Sequence, residues 1–400
     1  MPKNIVVCCD GTSNEFDGAR TNVVKLYQML VHDAKAQATY YQPGLGTMEA
    51  AGALTAFSRW WTKLAGFAFG YGLKNDIRDV YVFLMNTYEE GDRVFLFGFS
   101  RGAYTVRAVA SLLHLYGLVR KGNERLVPYA IRMMKRINLQ NARRKPKDGK
   151  SVVAETLIVA QQFKLTFAAC ECKPYFVGVW DTVNSVGWIE NQLRLPFTGH
   201  NPSIEIGRHA LAIDERRAFF QPNLWRPKPK PERTGPRDLL QVWFPGSHGD
   251  VGGGYPEADC GLSKVTLEWM LREAQTKGLI TDPDREARIM GEAGGAYVRP
   301  DARARLHDEL KSSLTWRLLQ LVPKKQWRRV REGGRDVWIE SRRFNIKGTR
   351  PFPREPLIHD AAFARDDAYV AKLPTDAIRV STLPPPGFAQ YDKEPMKARA

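Results

Sequence analysis

A chain of 400 residues with 43% apolar side chains can bury one large core plus insertions, which excludes disorder as its organising state. Its formal charge of +17 points to an attraction for something anionic, whether nucleic acid, phospholipid headgroups or an acidic partner. No run of about 18 or more uncharged apolar residues occurs, so no transmembrane helix is expected.

Residues 4–9 read as an apolar strand running into Asp10, Gly11, Thr12, Ser13 and Asn14, small and polar residues that let backbone N–H groups approach a ligand. The opening residues lead straight into this strand and leave no room for a secretory signal, so a cytoplasmic location is expected. Asn22 to Leu30 has helical apolar spacing, and Thr39 to Tyr41 is a short strand ending in Pro43-Gly-Leu-Gly46. Residues 50–72 interleave Phe57, Trp60, Trp61, Leu64, Phe67, Phe69 and Tyr71 with glycine. They suit either buried core or a lid above the site that follows. Leu73 to Tyr88 then forms an amphipathic helix.

Val94 to Phe97 is an unbroken apolar run, Ala103, Val106, Val109 and Ala110 follow at helical spacing, and Gly98-Phe-Ser100-Arg-Gly102 stands between. Strand, sharp turn and helix around Gly-x-Ser-x-Gly make a nucleophile elbow: the glycines remove side chains that would collide where the turn lifts the serine hydroxyl. The helix after it directs a positive dipole end and free N–H groups toward an anion formed beside Ser100. The N–H of Arg101 is one expected oxyanion donor, and the loop after the first strand, at Gly11 and Thr12, the other, with Asp10 in support.

Residues 120–165 are basic and helical and read as an insertion. Pro174 to Trp180 is an apolar strand that ends in Asp181, a carboxylate placed where open α/β sheets carry their chemistry. Residues 190–236 are rich in proline, including Arg226 to Pro231, and read as a surface excursion or cap. Leu239 to Phe244 is a further strand, ending in Pro245-Gly-Ser-His248-Gly-Asp250-Val-Gly-Gly-Gly-Tyr255 before a helix over Leu262 to Ala274. A metal site is the rival reading of His248 and Asp250, yet no second histidine lies at ligand spacing. The other histidines, His32, His114, His200, His209 and His307, read as structural, and His359 as supporting the site from behind. The five cysteines lack zinc-ligand spacing and read as buried reduced thiols, and no metal or other cofactor is expected.

Ser100, Asp181 and His248 each end an apolar strand, in the chain order that an α/β-hydrolase imposes on its catalytic triad, with Asp250 in support. The expected fold is therefore α/β, α/β-hydrolase-like, a mostly parallel doubly wound sheet with helical insertions and a basic C-terminal appendage. The blocks Asp10 to Asn14, Pro43 to Thr47, Gly98 to Tyr104 with Arg107, Val179 to Val183 and Trp243 to Tyr255 resemble, in the same order, an uncharacterised α/β-hydrolase-like domain family that includes the phospholipase effectors of bacterial type VI secretion systems. That resemblance covers about residues 3–275. It implies Ser100, Asp181 and His248 as the triad, a lipid or other ester as substrate, and export as an effector for some members.

A catalytic unit is thus expected over 1–275, and a basic region of helix and loop, packed on it or capping it, over 276–400. Residues 311–350 hold twelve Lys or Arg against three acids. Leu310, Leu314, Leu318 and Leu321 have helical spacing before Lys324, Lys325, Arg328 and Arg329, which suits either a solvated face or contact with an anionic membrane surface. No zinc-finger or RNA-binding signature accompanies these cations, so nucleic acid is not expected as a partner. The leading reading is a serine hydrolase of carboxylic esters, of phospholipase or lipase type. A soluble metabolite esterase or thioesterase, and a non-catalytic binding protein for an anionic partner, are the alternatives.

Overall fold

The computed structural model describes residues 2–11, 20–44, 67–137, 152–183, 187–188, 191–192, 195–217, 220–225, 235–312, 317, 320, 324–332, 335–343 and 350–384. Thr12, most of the aromatic segment 50–72 and the Arg226 to Pro231 run lie outside these residues.

Eight strands build the central sheet: β1 (Asn4–Cys9), β2 (Gln37–Gln42), β3 (Arg93–Phe99), β4 (Pro174–Trp180), β5 (Ile206–Ala212), β6 (Asp238–Phe244), β7 (Leu357–His359) and β8 (Ile378–Val380). Their order is β8-β7-β6-β5-β4-β3-β1-β2, and every neighbouring pair is parallel. A parallel sheet needs cover on both faces, and the strand sequences supply two apolar sides. Ile5, Val7, Val94, Leu96, Val177 and Val179 join one core, while Val6, Cys8, Phe95, Phe97, Phe176 and Trp180 join the other. The first core is closed by α2 (Phe67–Thr87), α3 (Arg101–Tyr116), α4 (Val127–Arg136) and α5 (Val152–Phe167); the second by α1 (Asn22–Met29), α7 (Gly261–Gln275) and α8 (Pro283–Ile289). A short helix, α6 (His248–Gly252), follows β6.

The strand order reverses between β1 and β3, so the chain leaves their C-terminal ends in opposite directions and opens a crevice there, where ligands bind in open α/β sheets. Asp10 ends one side of that crevice and Ser100 the other. The expected strands and helices up to residue 116 and from 174 to 180 and 238 to 275 are present within a few residues of their predicted bounds, α2 starting earlier than expected.

Two expectations are corrected. Residues 206–212, read as part of a surface excursion, are β5, a fully buried strand between β4 and β6. Arg208 and His209 interrupt its apolar pattern, and it is buried because Arg208 finds distant partners: Glu273 on α7 at 2.6 Å and Asp238 on β6 at 2.8 Å. The region beyond 275 is not only helix and loop. It adds β7 and β8 to the sheet edge, and Lys324–Glu332 pairs antiparallel with Arg335–Arg343 as a hairpin where an amphipathic helix was read to end. Strands of three residues are too short to give a readable period, and the hairpin strands show no two-residue repeat either, with Trp327 and Val330 three apart and Val337, Trp338 and Ile339 in succession. Of the expected helix, Glu309–Ser312 is helical. Among the described residues no helix is long and apolar enough to cross a membrane.

Candidate active site

Ser100 sits in a backbone conformation, φ 56° and ψ −116°, that L-residues rarely adopt. Such strain costs on the order of 1–3 kcal/mol and persists only where surrounding structure imposes it. The imposition is visible in the two glycines. A Cβ on Gly98 would lie 2.6 Å from the backbone of Gly102, and one on Gly102 would lie 2.1 Å from the carbonyl oxygen of Cys9. Strand β3, helix α3 and the end of β1 therefore meet at backbone distance beneath the serine. Ser100 N donates to Trp180 O at 3.1 Å, tying the turn to the end of β4.

Asp181 follows Trp180 directly and is fully buried, also with positive φ, 38°. Its carboxylate has no spare acceptor. Oδ2 accepts from His248 Nδ1 at 2.6 Å and from Arg350 Nη2 at 2.9 Å, and Oδ1 accepts from Arg350 Nη1 at 2.6 Å and from Ala212 N at 3.1 Å. Burial alone would push this carboxyl up; the Arg350 guanidinium and the bonds from His248 and Arg350 outweigh it and hold it well below the usual carboxylate range. Strand β5 supplies part of this placement: Asp181 N donates to Ala210 O at 2.8 Å, and Thr182 N donates to His209 Nε2 at 3.1 Å. Burial, helped by the Arg107 charge, pulls His209 down to about 3, so it stays a neutral acceptor.

His248 opens α6. Its imidazole packs against the Phe99 ring at 4.6 Å, the residue just before Ser100, and against the Phe220 ring at 4.8 Å. Its backbone N–H donates to Glu215 at 3.2 Å, and Glu215 is itself held by Arg217 at 2.7 Å. Close approach of α6 to the elbow needs Gly252, where a Cβ would lie 1.9 Å from the Phe99 ring. With Nδ1 on Asp181, the proton-accepting nitrogen left to His248 is Nε2.

The remaining predicted residues fall as follows. Asp10 is buried; it accepts from Thr21 Oγ at 2.7 Å and from Tyr41 Oη at 2.9 Å, which braces the loop after β1. Gly11 lies beside Ser100, where a Cβ would be 3.4 Å from Ser100 Cβ, but its N–H donates to Asp10 Oδ1 at 2.6 Å. Arg101 begins α3, with its side chain buried near Asp76, a carboxyl that burial pushes up to about 6 against the Arg101 charge. Asp250 does not face His248. It caps α6 through Ser247 N at 2.8 Å and pairs with His307 Nδ1 at 2.6 Å. His248 and Asp250 thus point to separate partners. His359 stacks on Phe244 at 4.6 Å and caps the Asp360–Phe363 turn through Ala361 N, away from these bonds.

Arg350, Glu215 and Phe220 escaped the sequence reading, which took His209 as structural without placing it beside Asp181. Only His209 carried a signal, as a polar pair with Arg208 inside an otherwise apolar 206–212 run. Arg107, which belongs to the resemblance, is buried on α3, donates to Thr198 O at 2.8 Å and stacks on Trp225 at 4.4 Å, holding the loop beyond β4 against the elbow helix.

Comparison with known proteins gives a curated relative, the uncharacterized protein YEL023C of Saccharomyces cerevisiae, 35% identical over 234 residues, which are 57% of this chain and 33% of the relative. The chain therefore spans about a third of that protein. Among solved structures, an uncharacterized protein from Pseudomonas aeruginosa aligns with TM-score 0.40 and 21% identity, over 72% of this chain and 48% of that one. The Tle1 effector bound to the VgrG spike of the type VI secretion system aligns with TM-score 0.32 and 16% identity, over 66% of this chain and 53% of that one. The family model described as T6SS phospholipase effector Tle1-like, catalytic domain, matches residues 3–273. On that match the chain belongs to the family of Tle1-like phospholipase effector catalytic domains.

Proposed function

We propose that this chain is a serine ester hydrolase that cleaves the acyl ester of a phospholipid or a similar lipid. Ser100 is the nucleophile, His248 the general base and then the general acid, and Asp181 the carboxylate that orients the imidazole. The observation that carries this reading is the buried 2.6 Å bond from His248 Nδ1 to Asp181, set beside a strained elbow serine. His248 Nε2 would take the Ser100 proton as Oγ attacks the ester carbonyl, and Asp181 would stabilise the imidazolium that forms. Collapse of the tetrahedral intermediate returns that proton to the leaving alcohol and leaves an acyl-serine. Water, deprotonated in turn by His248, releases the fatty acid.

The first-turn N–H of Arg101 is assigned to the oxyanion, where the α3 dipole adds to it. Gly11 is the second assignment, with its N–H freed from Asp10 when substrate binds. The phospholipid assignment rests on family membership.

A serine-reactive fluorophosphonate should label the wild-type chain and not Ser100→Ala, and fatty acid should be released from phospholipid vesicles only by wild type. Absence of both labelling and ester turnover in the folded wild-type chain refutes the proposal.

A further inference from the structure

We infer that Arg350 is a positioning residue for the hydrolase reaction, so that the site is completed by a side chain outside the family-matched residues 3–273. The inference rests on the reading of Ser100, His248 and Asp181 as a triad. Arg350 is 4% exposed, and all four of its terminal N–H groups are used. Nη1 donates to Asp181 Oδ1 and, at 3.0 Å, to Ala212 O; Nη2 donates to Asp181 Oδ2 and to Phe220 O. One planar fork therefore joins three parts of the site: the carboxylate that holds His248, the end of β5 that shares that carboxylate, and the loop whose Phe220 ring packs on the imidazole.

Two consequences follow from this geometry. The bidentate grip fixes the carboxylate plane, and through it the direction of the His248 ring, more narrowly than a single donor would. The guanidinium also places a full positive charge against Asp181, so the carboxylate that faces His248 is balanced rather than bare. The other charged or titratable groups beside this pair are Glu215, which accepts from His248 N and is paired with Arg217, and neutral His209 beside Thr182, while Asp250 on α6 is turned away to His307. None of them offsets the loss of Arg350.

The test uses full-length Arg350→Ala and Arg350→Lys, with fluorophosphonate labelling of Ser100 followed against pH and folding checked by tryptophan fluorescence. In Arg350→Ala the labelling rate at neutral pH should fall by roughly 10- to 100-fold. The acid limb of its profile should move up by about one pH unit or more, because an unbalanced carboxylate favours the imidazolium. Arg350→Lys keeps a charge without the fork, so its limb should move less while its rate still falls. Guanidinium ion, added well below denaturing concentration, should restore part of the rate to Arg350→Ala. Folded variants that label at the wild-type rate with an unmoved acid limb overturn the inference. Where Arg350→Ala does not fold, the same result in Arg350→Lys overturns it. A wild-type chain that does not label at all refutes the serine hydrolase reading itself.

Discussion

Replacing Asp181 by Asn deletes one charge and almost no volume, so its effects report the carboxylate alone. In the wild type four donors converge on the two oxygens: His248 Nδ1, two N–H groups of Arg350, and Ala212 N. An Asn offers one oxygen and one NH₂, and whichever way it turns, the NH₂ meets a donor. If it faces His248, Nδ1 must become an acceptor, the ring proton moves to Nε2, and the nitrogen proposed to take the Ser100 proton is blocked. That tautomer error is worth about 10⁴-fold in turnover in serine hydrolases, or ~5 kcal/mol at 1.36 kcal/mol per decade. Arg350, 4% exposed, also loses its counter-charge. An uncompensated buried charge costs ~3–5 kcal/mol, a large part of a typical 5–15 kcal/mol total.

Ester turnover gives the first figure and urea unfolding followed by tryptophan fluorescence the second, with Trp180 next in the chain to Asp181. The double variant Asp181→Asn with Arg350→Met separates the two effects. It should regain most of the stability, because an apolar replacement of a buried ion pair is often neutral, and none of the activity. Less than a tenfold loss of turnover in Asp181→Asn, or a loss of stability below about 1 kcal/mol, would refute this account of the carboxylate.

Gly102→Ala should destabilise the chain by ~1–3 kcal/mol and remove fluorophosphonate labelling. Its Cβ meets the carbonyl of Cys9 at 2.1 Å, so the elbow has to move away from β1, and a labelled, stable variant would contradict the packing described. Acid should weaken the fold in two stages. His209 and His359 are pulled by burial down to about 3 and about 4, below their unfolded values, so unfolding takes up protons and stability falls as pH drops below about 6.5. While its native form stays neutral, each histidine contributes ~1.4 kcal/mol per pH unit to that fall. Asp181 and Glu215 are held below the usual carboxylate range, so the stability they contribute is complete above about pH 4.5 and is lost only below it. Urea midpoints at pH 7 and pH 5 should therefore differ in the wild type and differ less in His359→Asn; equal differences would exclude His359 as a contributor. Together with the Ser100→Ala and Arg350 experiments, these measurements separate the chemistry of the site from the packing that holds it.

The placement of Ser100, Asp181 and His248 just after strands was legible because a buried parallel strand announces itself locally through an unbroken run of Val, Phe, Trp and Leu. The glycines at 98 and 102 were legible for a related reason: a turn that leaves less than 3 Å between a Cβ and neighbouring backbone admits no residue but glycine. Thr12 and most of the aromatic segment 50–72 fall outside the described residues, so their predicted roles in the oxyanion hole and as core or lid receive no structural account. The pairing of Asp10 with Gly11 N, which engages an expected oxyanion donor, depends on the loop conformation after β1 rather than on composition.

What only the tertiary structure decided is where charges could be buried. Arg208 and His209 look like surface residues in sequence and sit in the middle of the sheet because Glu273, Asp238 and the Thr182 amide reach them from other elements. Asp250, a neighbour of His248 in sequence, turns to His307 instead, and Arg350 reaches Asp181 across 169 residues of chain. Strand ends follow from local hydrophobic pattern, whereas a buried ion is tolerated only beside a partner, and that partner belongs to the fold rather than to the segment.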